Sequence, residues 1–175
     1  AEGPLKKQKE DGGGSSSFIL EGKTSYLDKS SKVFYTYIDS AGLPYNFNDL
    51  YGKVSMNGAN GSKMNFFGFH FADNVKYQHV ADLHWTNLGF GSNFVVIPGS
   101  TASLFEGNFA YSKYNISLTE ADGLPRTSEI KGFNMGLQFT YFIGKDEVKY
   151  GFDILGNRTD FEFTNSAGLE GSQVQ

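Results

Sequence analysis

The sequence predicts an all-β fold, an antiparallel up-and-down meander of about seven or eight strands, and three observations point to it. The 175 residues include 17 Phe, 10 Tyr and 22 Gly but only 4 Pro and no Cys, and aromatic side chains suit a pleated surface. No long stretch has apolar residues at i, i+3, i+4 and i+7, whereas alternation at period two recurs along the chain. Clusters of Gly, Asn and Ser separate the alternating runs, as turns require.

Residues 1–7 read as the tail of one strand. Ser17 to Leu27 places Phe18, Leu20 and Tyr26 against Glu21, Lys23 and Ser25, with Ile19 and Leu27 breaking the pattern. Leu50, Gly52, Val54 and Met56 oppose Tyr51, Lys53, Ser55 and Asn57. Lys63 to Ala72 is ambiguous, because Phe66, Phe67, Phe69 and Phe71 occupy both faces. Leu83 to Ile97 is long and interrupted by Gly. In Leu104 to Leu118, Phe105, Phe109 and Tyr111 oppose Glu106, Asn108, Ala110 and Ser112. The cleanest run is Ile130 to Tyr141, where Phe133, Met135, Leu137, Phe139 and Tyr141 oppose Gly132, Asn134, Gly136, Gln138 and Thr140. Val148, Tyr150, Phe152 and Ile154 then oppose Lys149, Gly151, Asp153, Leu155 and Asn157. After Phe163 the chain is polar to its end.

The connections alternate in expected length. Lys9 to Ser16, Asn57 to Ser62, Pro98 to Thr101 and Gly144 to Glu147 read as short turns, where Asn and Gly tolerate positive φ. Between them lie Asp28 to Asn48, Asp73 to Ala81 and Thr119 to Ser128, read as longer loops. Short turns at one end and long loops at the other suit an up-and-down outer-membrane barrel, whereas Greek-key sandwiches need not alternate so. The polar face carries Gly, Asn, Gln, Thr and Ser, which suit a wide, wet lumen rather than a packed interior. Tyr26, Tyr111, Tyr141 and Phe142 fall near strand ends, where aromatic girdles sit. The expectation is an open curved sheet or half-barrel. The alternative is a soluble or secreted β-sandwich or small barrel that binds a ligand or partner, its Phe-rich faces forming a packed core.

Composition narrows the chemistry. A net charge of −4 and a pI near 5.3 give no basic footprint for nucleic acid. No run of about 18 apolar residues exists to form a transmembrane helix. A mean hydropathy of −0.36 is compatible with alternating membrane strands as well as with a soluble protein.

No constellation predicts catalysis, a cofactor or a metal. His70, His79 and His84 match no zinc spacing. Gly89 to Phe94 opens like a dinucleotide loop but lacks the third Gly and a following helix. Glu120 with Asp122, and Asp146 with Glu147, read as solvated loop carboxylates, and no nucleophile elbow is present. The sequons at Asn60, Asn115 and Asn157 read as chance. Tyr35, Tyr37 and Tyr45 in the long loop either stack on a ligand or pack the loop against itself.

Several segments together carry a family resemblance: Ser17 to Leu27, Asp49 to Ser55, Gly107 to Ser112, Gly132 to Gly136, Asp146 to Gly151 and Thr159 to Phe163, with Glu2 to Lys7 as a strand end. In this order and spacing the chain resembles the middle of the barrel of a TonB-dependent outer-membrane receptor. The similar type carries a carboxypeptidase-regulatory-like segment before its plug. The resemblance implies a barrel of about 22 strands in the bacterial outer membrane, importing a ligand the sequence does not identify. Residues 1–175 would be one internal segment of the barrel without the plug domain. Its partners would be outer-membrane lipid, the rest of the barrel, the plug, and TonB indirectly through the plug. Lys53, Asn57, Asn134, Gln138 and Asp153 would face the lumen, and Phe133, Met135, Leu137, Phe139, Phe152 and Ile154 the lipid.

Overall fold

The structure, a computed structural model, describes residues 1–8, 12–35, 37, 42–77, 79–121, 123–164 and 170–174, with backbone alone for 164 and 170–174. One sheet holds nine strands in chain order: β1 (Glu2–Lys6), β2 (Ser15–Thr24), β3 (Tyr45–Asn57), β4 (Lys63–Tyr77), β5 (Ala81–Val96), β6 (Ser103–Glu120), β7 (Pro125–Ile143), β8 (Asp146–Thr164) and β9 (Glu170–Val174). Every neighbouring pair is antiparallel. β1 and β9 are free edges, so the sheet is open. The predicted meander is therefore present, as seven strands of 10–19 residues with a five-residue strand at each edge.

The sequence fixes the tight end of this ladder locally. Ile143 pairs with Asp146 across a two-residue loop, and Gly144 at φ +63° supplies the first central position of a type II′ turn. Gly61 at φ +87° closes the β3–β4 turn, where Asn60 Nδ2 donates to the Ile97 carbonyl at 2.7 Å. That bond ties one turn to its neighbour along the same edge.

The opposite end differs from expectation. The β4–β5 and β6–β7 connections shrink to residues 78–80 and 121–124, because the strands run on through segments read as loops. Only the β2–β3 connection is long, and it holds a helix, α1 (Leu27–Phe34), which the periodicity did not signal. Asp28 in its first turn and Lys32 in its last suit the helix dipole. A helix this short is marginal alone; Ser31 Oγ accepts from Leu43 N–H at 2.7 Å and donates to the Leu27 carbonyl, pinning the loop's return. The tip of the β1–β2 turn, Asp122 and part of the segment after Phe163 lie outside the described residues.

The sheet is a single layer. Among the described residues no hydrophobic side chain is buried. The chain exposes 11957 Å², against about 8,500 Å² for a compact monomer of its 19.3 kDa mass. Both faces are open to whatever surrounds them.

Candidate functional site

Register sorts the strand side chains onto two faces. The first carries Phe133, Met135, Leu137, Phe139 and Tyr141 of β7. Pairing adds Phe105, Phe109 and Tyr111 of β6 and Val148, Tyr150, Phe152 and Ile154 of β8. β5 contributes Leu88, Phe90, Phe94 and Val96, and β4 and β3 contribute Met64, Phe66, Val54 and Met56. The second face carries Lys53, Asn57, Asn134, Gln138 and Asp153. Both groupings expected from alternation are therefore on common faces. Three of the expected girdle residues are placed otherwise: Phe142 lies on the Asn134 face, opposite its neighbour Tyr141, Tyr26 precedes α1 outside the strands, and Tyr111 stands in the middle of β6 rather than near its end.

Neither face keeps one polarity along its length. Toward the turn end the Phe133 face is apolar. Beyond Tyr111, Phe133 and Gly156 it becomes polar, with Thr86, Asn115, Glu129 and Asp160 in one row and His84, Ser117, Thr127 and Glu162 in the next. The Asn134 face does the reverse. Near the turns it carries Ser17, Ser55, Asn65, Asn93, Asn108 and Asp153 in a row. Asn65 Nδ2 donates to Asn93 Oδ1 at 2.8 Å and Asn108 Nδ2 to Asn134 Oδ1 at 2.5 Å. Toward the loop end it becomes aromatic: Tyr45, Phe47, Phe69, Phe71, Trp85, Tyr114, Phe161 and Phe163. The expectation of a uniformly small, polar face is thus corrected for its upper half.

The reversal involves no bulge, since the register from β3 to β8 is continuous. In β6 the apolar set changes from odd positions, ending at Tyr111, to even ones, beginning at Tyr114. In β5 it changes between Leu88 and Trp85, and in β4 between Phe66 and Phe67. A phase change in a continuous strand moves the apolar side to the other face. The ambiguous Phe run of β4 is this crossover, with Phe66 on one face and Phe67, Phe69 and Phe71 on the other.

The strand glycines serve these rings. A Cβ on Gly89 would lie 2.4 Å from Phe69 Cζ, and one on Gly107 would lie 2.4 Å from Phe94 Cζ. The far end of each ring therefore lies over its cross-strand Gly, covering bare backbone. The segment Gly89 to Phe94 is thus a strand centre.

The aromatic upper half of the Asn134 face is the best-furnished recognition surface. Phe69 and Phe71 are stacked with centroids 4.9 Å apart. Tyr45 donates to Asp73 Oδ1 at 2.9 Å, and the Arg126 guanidinium lies 5.2 Å from the Phe163 ring centroid. Asn87 sits between Phe71 and Tyr114 in one row, its Oδ1 shielded from solvent and without a hydrogen-bond partner. Of the loop tyrosines, Tyr45 opens β3 and joins this surface, tilted against Phe47 at 5.9 Å. Tyr35 and Tyr37 pack edge-to-face on each other at 6.2 Å.

The sequence's other candidate residues stay apart among the described residues. His70 and His84 lie on separate strands and His79 in the β4–β5 turn; among the described residues no group of three His, Cys, Asp or Glu is placed to hold a metal. Glu120 pairs with Arg126 and Glu147 with Lys149 at 3.3 Å, as surface ion pairs do. No family model, curated protein or solved structure matches the chain.

Proposed function

We propose that the chain is a wall segment of a TonB-dependent outer-membrane receptor, part of a barrel that imports a ligand across the bacterial outer membrane. The carrying observation is the polarity reversal on a single-layer sheet. Such a sheet separates four environments: apolar outside and polar inside near the turns, polar outside and aromatic inside near the loops. A barrel wall that spans a bilayer and continues beyond it meets these four. On β7 the apolar rows run from Ile143 to Phe133, about 34 Å along the strand at ~3.4 Å per residue. At a barrel tilt of roughly 40° that is about 25 Å of height, the thickness of an outer-membrane apolar band. The remaining residues of β7 project past the bilayer. A β-sandwich needs a second layer over the Phe133 face, and the described residues form only one.

In this reading the amide-rich lower half faces the plug. The aromatic upper half forms the outer vestibule, where a ligand with planar or apolar surface meets Phe69, Phe71, Trp85 and Tyr114. The TonB coupling itself rests on the resemblance in the strand segments.

The chain has no Cys, so single-Cys variants test the orientation cleanly. Met135→Cys is expected to react with a bilayer-soluble maleimide and to resist a charged one. Asn134→Cys is expected to react with the charged reagent. Equal reaction of both with the charged reagent, in protein folded without detergent, refutes the membrane wall.

A further inference from the structure

On the Phe133 face of β5 to β8, Asp146 stands beside Ile143 at the turn end, and the rows from Tyr141 and Val148 up to Phe90, Tyr111, Phe133 and Gly156 carry no charged residue. The next row pairs Leu88, Lys113, Lys131 and Arg158. These three cations stand side by side on consecutive strands, about 4.8 Å apart per strand. At this end of the band the carboxylates come only after them, Glu129 and Asp160 one row further and Glu162 two rows further. Sign is thus sorted by height at the loop end, where cations border the apolar rows and anions stand beyond them.

The ion pairs leave this sorting incompletely neutralised. Lys113 Nζ lies 2.6 Å from Glu129 Oε2, and Lys131 reaches the other oxygen of the same carboxylate. Arg158 Nε meets the Asp160 carboxylate at 3.0 Å. Two ammonium groups therefore share one carboxylate. All three cations stay partly open, their side chains 34%, 35% and 60% exposed. Rows above them offer hydroxyls and amides, from Thr86, Asn115, Ser117 and Thr127. An ion-pair network in plain water has no reason to put all three of these cations on the apolar side of their carboxylates. A layer of negative charge at the top of the band supplies one, because it favours each cation that borders it.

We infer that Lys113, Lys131 and Arg158 form a binding row for the phosphate of anionic lipid headgroups at the outer edge of the bilayer. The inference rests on the membrane-wall reading and adds a specific lipid ligand to it. Acyl chains lie on the apolar rows, the phosphate on the cations, and the polar headgroup on the hydroxyl and amide rows above.

The test uses the full chain in phosphatidylcholine bilayers, with Trp85→Phe removing the single Trp and Phe133→Trp placing a reporter one row below the cations. Brominated phosphatidylcholine and brominated phosphatidic acid then compete to quench it. The expected preference for phosphatidic acid is about fivefold, the equivalent of one uncompensated cation near the surface. Lys113→Gln with Lys131→Gln is expected to abolish the preference. Glu129→Gln, which releases two ammonium groups, is expected to raise it. Inorganic phosphate at matched ionic strength is expected to leave it unchanged. A preference near one in the parent, or one that survives the double Lys variant, overturns the binding row. Loss of preference on adding inorganic phosphate overturns the lipid as its ligand. Failure of both lipids to quench overturns the membrane wall beneath it, and so separates the two claims.

Discussion

Leu137→Arg gives the sharpest test of which face meets lipid. On β7 the apolar rows run from Phe133 to Ile143, so Leu137 lies within about one residue of their midpoint, roughly 3 Å along the strand. Its side chain is 38% exposed and points away from the sheet into the surroundings. At a bilayer midplane an Arg here costs about 2–4 kcal/mol, which lowers the folded-to-unfolded ratio by roughly 30- to 1,000-fold. Some loss comes from packing alone, because Leu137 Cδ2 covers Gly107. Leu137→Ala measures that part and is subtracted. Asn134→Arg, three residues away on the opposite face, is expected to cost less than about 1 kcal/mol. The assay is urea unfolding of the chain folded into short-chain phospholipid bilayers, with stability read from the midpoint and slope. Leu137→Arg no more destabilising than Leu137→Ala refutes the lipid assignment, as does a cost at Asn134 equal to that at Leu137.

Three further outcomes follow from local geometry. Gly107→Val sets a side chain against Phe94 and Leu137 and is expected to cost about 1–3 kcal/mol by overpacking, measured by the same unfolding assay. Thr140 is 1% exposed with Oγ1 unpartnered, so Thr140→Val is expected to leave stability unchanged or raise it by up to about 1 kcal/mol; a clear loss would show that the hydroxyl has a partner. Gly144→Val forces a β-branched residue to φ +63° and is expected to cost roughly 1–2 kcal/mol, with refolding of the β7–β8 hairpin slowed if that hairpin forms early, a point stopped-flow fluorescence decides.

Much of this protein is legible from residue order. Strict alternation from Phe133 to Tyr141 and from Val148 to Ile154 requires strands, because only period two keeps those side chains together. The Gly-containing turns at 58–62 and 144–145 make consecutive strands antiparallel neighbours, and a chain of such hairpins is a meander. What alternation could not reveal is where each strand ends. The stretches 119–128 and 73–81 look irregular because the strands that lead into or out of them have changed apolar phase, at 66–67, 85–88 and 111–114, and a phase change read in one strand resembles a loop. Helix α1 was equally hidden, its eight residues too few to establish a 3.6-residue period.

Tertiary structure decided what the phase changes mean. Pairing the crossovers of β4, β5 and β6 side by side turns three irregular patterns into one boundary across the sheet. Only register puts Lys113, Lys131 and Arg158 in one row, although they are far apart in the chain, and only register puts Asn87 between Phe71 and Tyr114. The sequence by itself determined the strands and their order, because period and turn chemistry are local. The two reversing faces belong to the tertiary structure, because a face consists of side chains from many strands and exists only after they pair.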